Sequence, residues 1–258
     1  MRVSHETPVH YYLNDQLLNP LIGKMITLEF TGVMECLQCH RKITKTFQQG
    51  YCYPCFQRIL ECNNCMIHPE RCLVEQGKCV ATDWAHEQCH QKHIVYLANT
   101  SALKVGITRE SNIPARWIDQ GAVQALPIFQ TQNRYQAGLI EVALKNFVAD
   151  KTNWRLMLKN SVEKIDLIFA KKIVLQQARK NIDEILKKYS DEIILSDNQR
   201  MYSLEYPVLQ YLEKVNALSF DKMPVISGKL LGIKGQYLIL EQGVLNVRKH
   251  GGYCAYLR

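Results

Sequence analysis

HIVYLANTSALKVGITRESNIPARWIDQGA, residues 93 to 122, is the stretch whose reading decides the fold. Two apolar runs, Ile94 to Ala98 and Leu103 to Thr108, flank the small polar segment Asn99-Thr100-Ser101-Ala102, the pattern of two short strands joined by a hairpin loop. Ile113, Pro114 and Ala115 then open a helix, because the fixed φ of proline suits a first helical turn. Gly121 is placed to end that helix after Trp117, Ile118 and Gln120. Val123 to Phe129 reads as a third strand, and Pro127, which cannot donate to a ladder, points to an edge position. Leu139, Ile140, Ala143, Leu144, Phe147 and Val148 recur at helical spacing, which predicts an amphipathic helix over about residues 133 to 149. The expected element order is β-β-α-β-α.

Upstream of this stretch lies most of the metal-ligand chemistry, since nine of the ten cysteines fall between residues 36 and 89. Cys36-x2-Cys39, then twelve residues, then Cys52-x2-Cys55 is the spacing of a zinc ribbon. Each C-x-x-C turn aims two thiolates at one point, and two such turns close a tetrahedral shell with no open position, so the zinc is structural. A second group follows: Cys62, Cys65, Cys72, Cys79 and Cys89, with His68, His90 and His93 nearby. Cys62 with Cys65 forms its first pair and Cys79 with Cys89 its second, with Cys72 and His93 as alternates, giving two structural zinc ions in all. A histidine in such a setting reads first as a hydrogen-bonding residue beside a metal loop. Arg41, Lys42, Lys45, Phe47, Tyr51, Tyr53, Phe56 and Arg58 are interleaved with these cysteines. That mixture suits phosphate contacts plus base stacking, and it equally suits a small zinc module whose aromatics are its only core.

Elsewhere, Leu21 to Phe30 predicts a strand, echoed by LLGIKGQYLILE at 230 to 241, so the two ends are expected to share one β-layer. Asn160 is placed to cap a long helix from Ser161 to Tyr189, whose apolar stripe includes Ile165, Ile168, Leu175, Ala178 and Ile182. A second helix is expected at about 204 to 218, and glycine turns divide the residues from Phe220 onward into a small antiparallel module. Arg109 and Arg134 read as cations on a solvated face, and Cys254 as a buried thiol. The opening MRVSHETPVHYYLNDQ lacks a basic region followed by an apolar core, and no uncharged apolar run of about 18 residues occurs, so a cytoplasmic protein with no membrane partner is expected. In that compartment the thiols stay reduced. A net charge of +8 favours an anionic partner such as DNA or RNA.

The 93 to 153 region resembles the GIY-YIG nucleases, named for short motifs on the two strands of such a hairpin. Ile94-Val95-Tyr96 stands at the first motif and Lys104-Val105-Gly106 at the second. Arg116-Trp117 matches the Arg-bearing helix, Glu141 the metal-binding Glu, and Asn153 the downstream Asn. Ile94 replaces the first Gly and Lys104 the Tyr of the second motif; some restriction-enzyme and phage-related branches also carry Lys there. GYCYPC, DKTNWR and GIKGQYLIL, with the 93 to 122 stretch, are in turn similar to an uncharacterised bacterial family catalogued as a domain of unknown function. The resemblance implies an α+β chain with a GIY-YIG-like core at 93–158, preceded by a strand and zinc-binding module at 1–92. A helical segment and C-terminal β module follow at 159–258. It further implies a metal-dependent nuclease whose site is Tyr96, Lys104, Arg116, Glu141 and Asn153, with Mg2+ or Mn2+ on Glu141. The alternative is a non-catalytic zinc-containing adaptor that binds nucleic acid or a ribonucleoprotein and uses the hairpin domain as a platform.

Overall fold

The computed structural model describes residues 1–79, 82–149, 151–159, 162–197 and 200–258. His93–Asn99 and Leu103–Arg109 form the expected antiparallel hairpin, in a register that pairs Tyr96 with Gly106 and Ala98 with Lys104. Partners in register project to the same face, so Tyr96, Lys104 and Gly106 share one side of the sheet. The short helix Ala115–Asp119 follows, then the strand Gln124–Thr131 and the helix Arg134–Lys145, reproducing the order β-β-α-β-α. Asn133 caps that last helix by accepting the Gln136 N–H at 2.9 Å.

Gln124–Thr131 is not an edge strand. It pairs with His93–Asn99 on one side and, on the other, with Ile193–Leu195 and Tyr202–Ser203. Pro127 is tolerated there because the register shifts beside it, opposite Val95 and Tyr96, and because the strands on its other side pair at Phe129 to Thr131 and at Gln124 and Ala125. The opposite face of the sheet carries Val95, Leu97, Val105, Leu126 and Ile128. These pack against Ala137, Ile140 and Leu144 of one helix and Val174, Ala178 and Ile182 of the long helix Leu167–Lys188. That long helix is capped by Asp166, whose side chain accepts the N–H groups of Ile168 and Phe169 at 3.0 and 2.9 Å. The expected cap Asn160 and start Ser161 lie outside the described residues, and the helix begins six positions later than Ser161, at Leu167.

These elements belong to one of two compact units, built from Asn63–Met157 and Val162–Ser203; the other is built mainly from Met1–Cys62 and Leu204–Arg258. In the latter, Met25–Glu35 pairs antiparallel with Val225–Lys234 and with Tyr253–Leu257, so the two ends of the chain do share one sheet. Tyr237–Leu240 and Gly243–Asn246 extend it, and Ala217–Leu218 adds a short parallel edge. The Leu21 to Phe30 strand starts later than expected, at Met25, after a short turn of 3-10 helix at Asn19–Leu21. No helix forms over 204 to 218. Leu209 donates to Leu231 and Ile233 to Pro207 across extended chain, and Val208 lies against Gly232, where a Cβ would come within 2.6 Å of the Val208 Cα.

Candidate functional site

Tyr96 sits at the middle of its strand, fully buried, with the ring edge-on to Trp117 at 5.7 Å. Gly106 is its register partner, and only the missing side chain leaves room for it: a Cβ there would stand 2.7 Å from the Tyr96 Oη. The Ala115–Asp119 helix presents Arg116 and, one turn later, Gln120. With the Gln120 amide turned so that its carbonyl accepts from Arg116 Nε and Nη2, both at 3.1 Å, its NH2 donates to Tyr96 Oη at 3.0 Å. Arg116, Gln120 and Tyr96 thus form one hydrogen-bonded chain, and the phenol oxygen becomes its acceptor end. Burial raises the Tyr96 pKa; Arg116 pulls it down, Glu141 pushes it up and Gln120 pulls it down. Glu141 is therefore felt at the phenol from the Arg134–Lys145 helix, where it is half-buried.

Lys104 shares the Tyr96 face and is 5 % exposed. Asn153 lies at the loop end of the hairpin: its N–H donates to Ser101 Oγ at 2.9 Å, and its Oδ1 accepts the Leu156 N–H, capping the short helix Trp154–Met157. Of the five residues singled out from the sequence, Tyr96 and Arg116 are joined through Gln120, Glu141 acts on Tyr96 through its charge, and Lys104 shares the Tyr96 face. Asn153 is engaged in fixing the loop. Gln120 escaped the sequence reading although its spacing of four from Arg116 places both on one helix face. Arg134 is the other omission. It is not a cation on a solvated face: its Nη2 donates to the Met66 carbonyl at 2.8 Å, its Nε is buried without a hydrogen-bond partner, and Glu141 and Arg116 both act on it.

The Cys36-to-Cys55 quartet is gathered by different means. Cys36 follows directly on the Met25–Glu35 strand, and His40 takes a left-handed φ of 56° as its N–H returns to the Cys36 carbonyl at 2.9 Å. Cys52 caps the helix Tyr53–Arg58, with Pro54 in its first turn and Cys55 one residue further. Gly50 allows the two loops to meet, since a Cβ there would fall 2.4 Å from the Leu37 side chain. The four sulfurs lie within 4.8 Å of one another, and Cys39 Sγ is 3.8 Å from Cys52 Sγ, close to the sulfur–sulfur edge of about 3.8 Å expected for a tetrahedron with zinc–sulfur bonds of about 2.3 Å. Burial pushes the Cys36 thiol up, but N–H donors from Cys39, Cys52 and Gln38 outweigh it and hold it down to about 6. The Arg41 backbone N–H likewise lowers Cys39, and Arg41 Nε donates to its sulfur at 3.2 Å. N–H donors aimed at sulfur and a nearby guanidinium favour thiolate at Cys36 and Cys39, whereas the neighbouring Cys52 sulfur, burial and the other cysteines push Cys55 up to about 12, so a cation is needed to hold all four as the thiolates that bind metal. The quartet suits a structural zinc ion.

Among the described residues this is the one group with three or more metal-ligating atoms so close together, and Cys62, Cys65, Cys79 and Cys89 are not drawn into another. The interleaved aromatics pack on each other: Phe47 lies 5.2 Å from Tyr53 and 5.9 Å from Phe56 between ring centroids. No helix of the described residues is long and apolar enough to cross a membrane.

The model of one protein family, described as protein of unknown function (DUF2797), matches residues 23–255. No curated protein and no solved structure matches the chain.

Proposed function

We propose that the chain, which belongs to the DUF2797 family, is a metal-dependent nucleic-acid phosphodiesterase with a GIY-YIG-like core, brought to its target by zinc-held modules, the Cys36-to-Cys55 ribbon among them. The observation that carries this reading is the hydrogen-bonded chain from Arg116 through Gln120 to the Tyr96 oxygen, with the Glu141 carboxylate acting on the same phenol.

In this reading Tyr96 acts in its phenolate form, favoured by Arg116 and Gln120, and takes a proton from the attacking water to become the neutral phenol. Arg116 stabilises charge on the phosphoryl oxygens, and Lys104 adds a second positive group on the same face. Asn153 and Ser101 fix the loop beside them. Glu141 offers one hard oxygen ligand, which fits a Mg2+- or Mn2+-type cation whose other positions are filled by phosphate and water. Such a cation, when bound, supplies charge to polarise the scissile phosphate and stabilise the leaving oxygen. The experiment is cleavage of mixed DNA and RNA pools with Mg2+ or Mn2+. Wild type cuts, and Glu141→Gln loses at least about 10²-fold of the rate while keeping its fold.

A second reading is favoured by one specific observation. Tyr96 is fully buried and Lys104 nearly so, which shuts the candidate base and the cation beside it from water. A zinc-containing adaptor that binds nucleic acid without cutting it needs neither group exposed. Binding by wild type and Glu141→Gln alike, with no cleavage by either, selects the adaptor.

A further inference from the structure

Three segments of the chain converge on Arg134 within one compact unit. The Arg134 N–H donates to the Cys89 carbonyl at 2.8 Å, and Arg134 Nη2 donates to the carbonyl of Met66, the residue after Cys65, also at 2.8 Å. The turn Pro69–Arg71, which Cys72 ends, packs on the same helix so closely that a Cβ on Gly138 would meet Pro69 and the Glu70 backbone at 2.8 Å. Cys65, Cys72 and Cys89 are thereby brought to the first turns of the Arg134–Lys145 helix by three separate backbone constraints. Cys79 is the fourth and remaining cysteine of the same compact unit, whereas Cys62 falls in the other.

A cluster of thiols around a buried guanidinium has a clear physical use. At the first quartet Arg41 Nε donates to the Cys39 sulfur. Arg134 Nε is the corresponding group here, and it is buried with no hydrogen-bond partner. A buried N–H left without an acceptor is costly, and a metal thiolate supplies both the acceptor and the negative charge that it lacks.

We propose that Cys65, Cys72, Cys79 and Cys89 hold a second, structural zinc ion at the start of the Arg134–Lys145 helix, with Arg134 Nε donating to one of its thiolates. This replaces the sequence-based pairing of Cys62 with Cys65. The site has no open position and ties the short turns and helices of residues 64 to 79 and 82 to 89 to the Arg134–Lys145 helix of the same unit. It stands independently of the nuclease reading, because its readout is metal content and not cleavage.

The test is zinc content of the full chain in reducing buffer, for wild type and single Cys→Ser variants. Wild type holds about two ions; Cys65→Ser, Cys72→Ser, Cys79→Ser and Cys89→Ser each hold about one; Cys62→Ser and His93→Gln keep about two. Cobalt substitution of wild type guards against variants that fail to fold, since its thiolate charge-transfer intensity then reports about eight sulfur–cobalt bonds per chain and not about four. A wild type with about one ion, or loss of an ion from Cys62→Ser or His93→Gln while Cys72→Ser or Cys79→Ser keeps both, overturns the assignment.

Discussion

Lys234 is fully buried, its Nζ has no hydrogen-bond partner, and its charge faces the rings of Tyr206 and Tyr211, each at 5.4 Å. Burial lowers its pKa to about 8, below the ordinary lysine value of about 10.4. The unfolded chain therefore binds more protons between those values, so stability rises with pH through that window and the full penalty of the buried charge applies below about 8. That depression is worth about 3 kcal/mol, and loss of the two ring contacts offsets about 1 kcal/mol of it. Lys234→Met is accordingly expected to raise stability at pH 7 by about 2 kcal/mol and to flatten the rise between about pH 8 and 10, read from urea unfolding across pH. Gly106 presents the opposite case, a residue whose lack of a side chain is the requirement. Gly106→Ala forces a methyl against the Tyr96 Oη and ring and is expected to cost about 1–3 kcal/mol in the same assay. An unchanged midpoint would mean that Tyr96 can move aside, and with it the hydrogen-bonded chain to Arg116.

At the level of elements, the long helix is expected to depend on Asp166. Asp166→Ala removes an acceptor for two N–H groups and should lower stability by about 1 kcal/mol, which circular dichroism during denaturant unfolding checks. The helix itself was legible because Ile168, Leu175, Ala178 and Ile182 repeat at its period; its start was not, because Asn160 and Asp166 are both competent cap types and the later one is favoured by distant bonds, Asn99 to the Glu163 carbonyl and Gln124 to the Ile165 N–H and carbonyl. The hairpin and the helix bearing Arg116 were legible for the same reason: local spacing fixes them. The absent helix at 204 to 218 shows where such reasoning fails. Pro207 disfavours helical backbone at Tyr206, and the bonds that hold the segment extended come from Leu231 and Ile233, more than twenty residues away. Similarly, the metal-ligand spacing of Cys36, Cys39, Cys52 and Cys55 could be read directly. The proposed partners of Cys65 could not, because the contacts that bring Cys89 and Cys72 toward it run through Arg134 and Gly138, residues with no motif around them.

At the scale of the whole molecule, the excess of 32 Lys and Arg over 24 Asp and Glu is the property both functional readings share. Phe47 and Phe56 are partly buried against each other, whereas Tyr53 beside them stays 51 % exposed and leaves one ring open to stacking, so phosphate contacts are expected to supply most of the affinity. Arg41 is occupied at the Cys39 sulfur, so Lys42 and Lys45, with other cations of the chain, are the freer phosphate partners of this module. Affinity for DNA or RNA should then fall linearly on a log–log plot against salt, with a slope of about −0.9 per duplex phosphate neutralised. For about five contacts the loss between about 50 and 200 mM salt is on the order of 10²–10³-fold. Anisotropy titration measures this for wild type, and Lys42→Ala and Lys45→Ala should each reduce the slope by about 1 without changing any preference among sequences. Slopes unaffected by either change would move the contact surface away from the Cys36-to-Cys55 module while leaving nucleic acid as the partner. Absence of binding at low salt to single- or double-stranded DNA or RNA would remove the nuclease and the adaptor together, because both require the protein to reach its target through these charges.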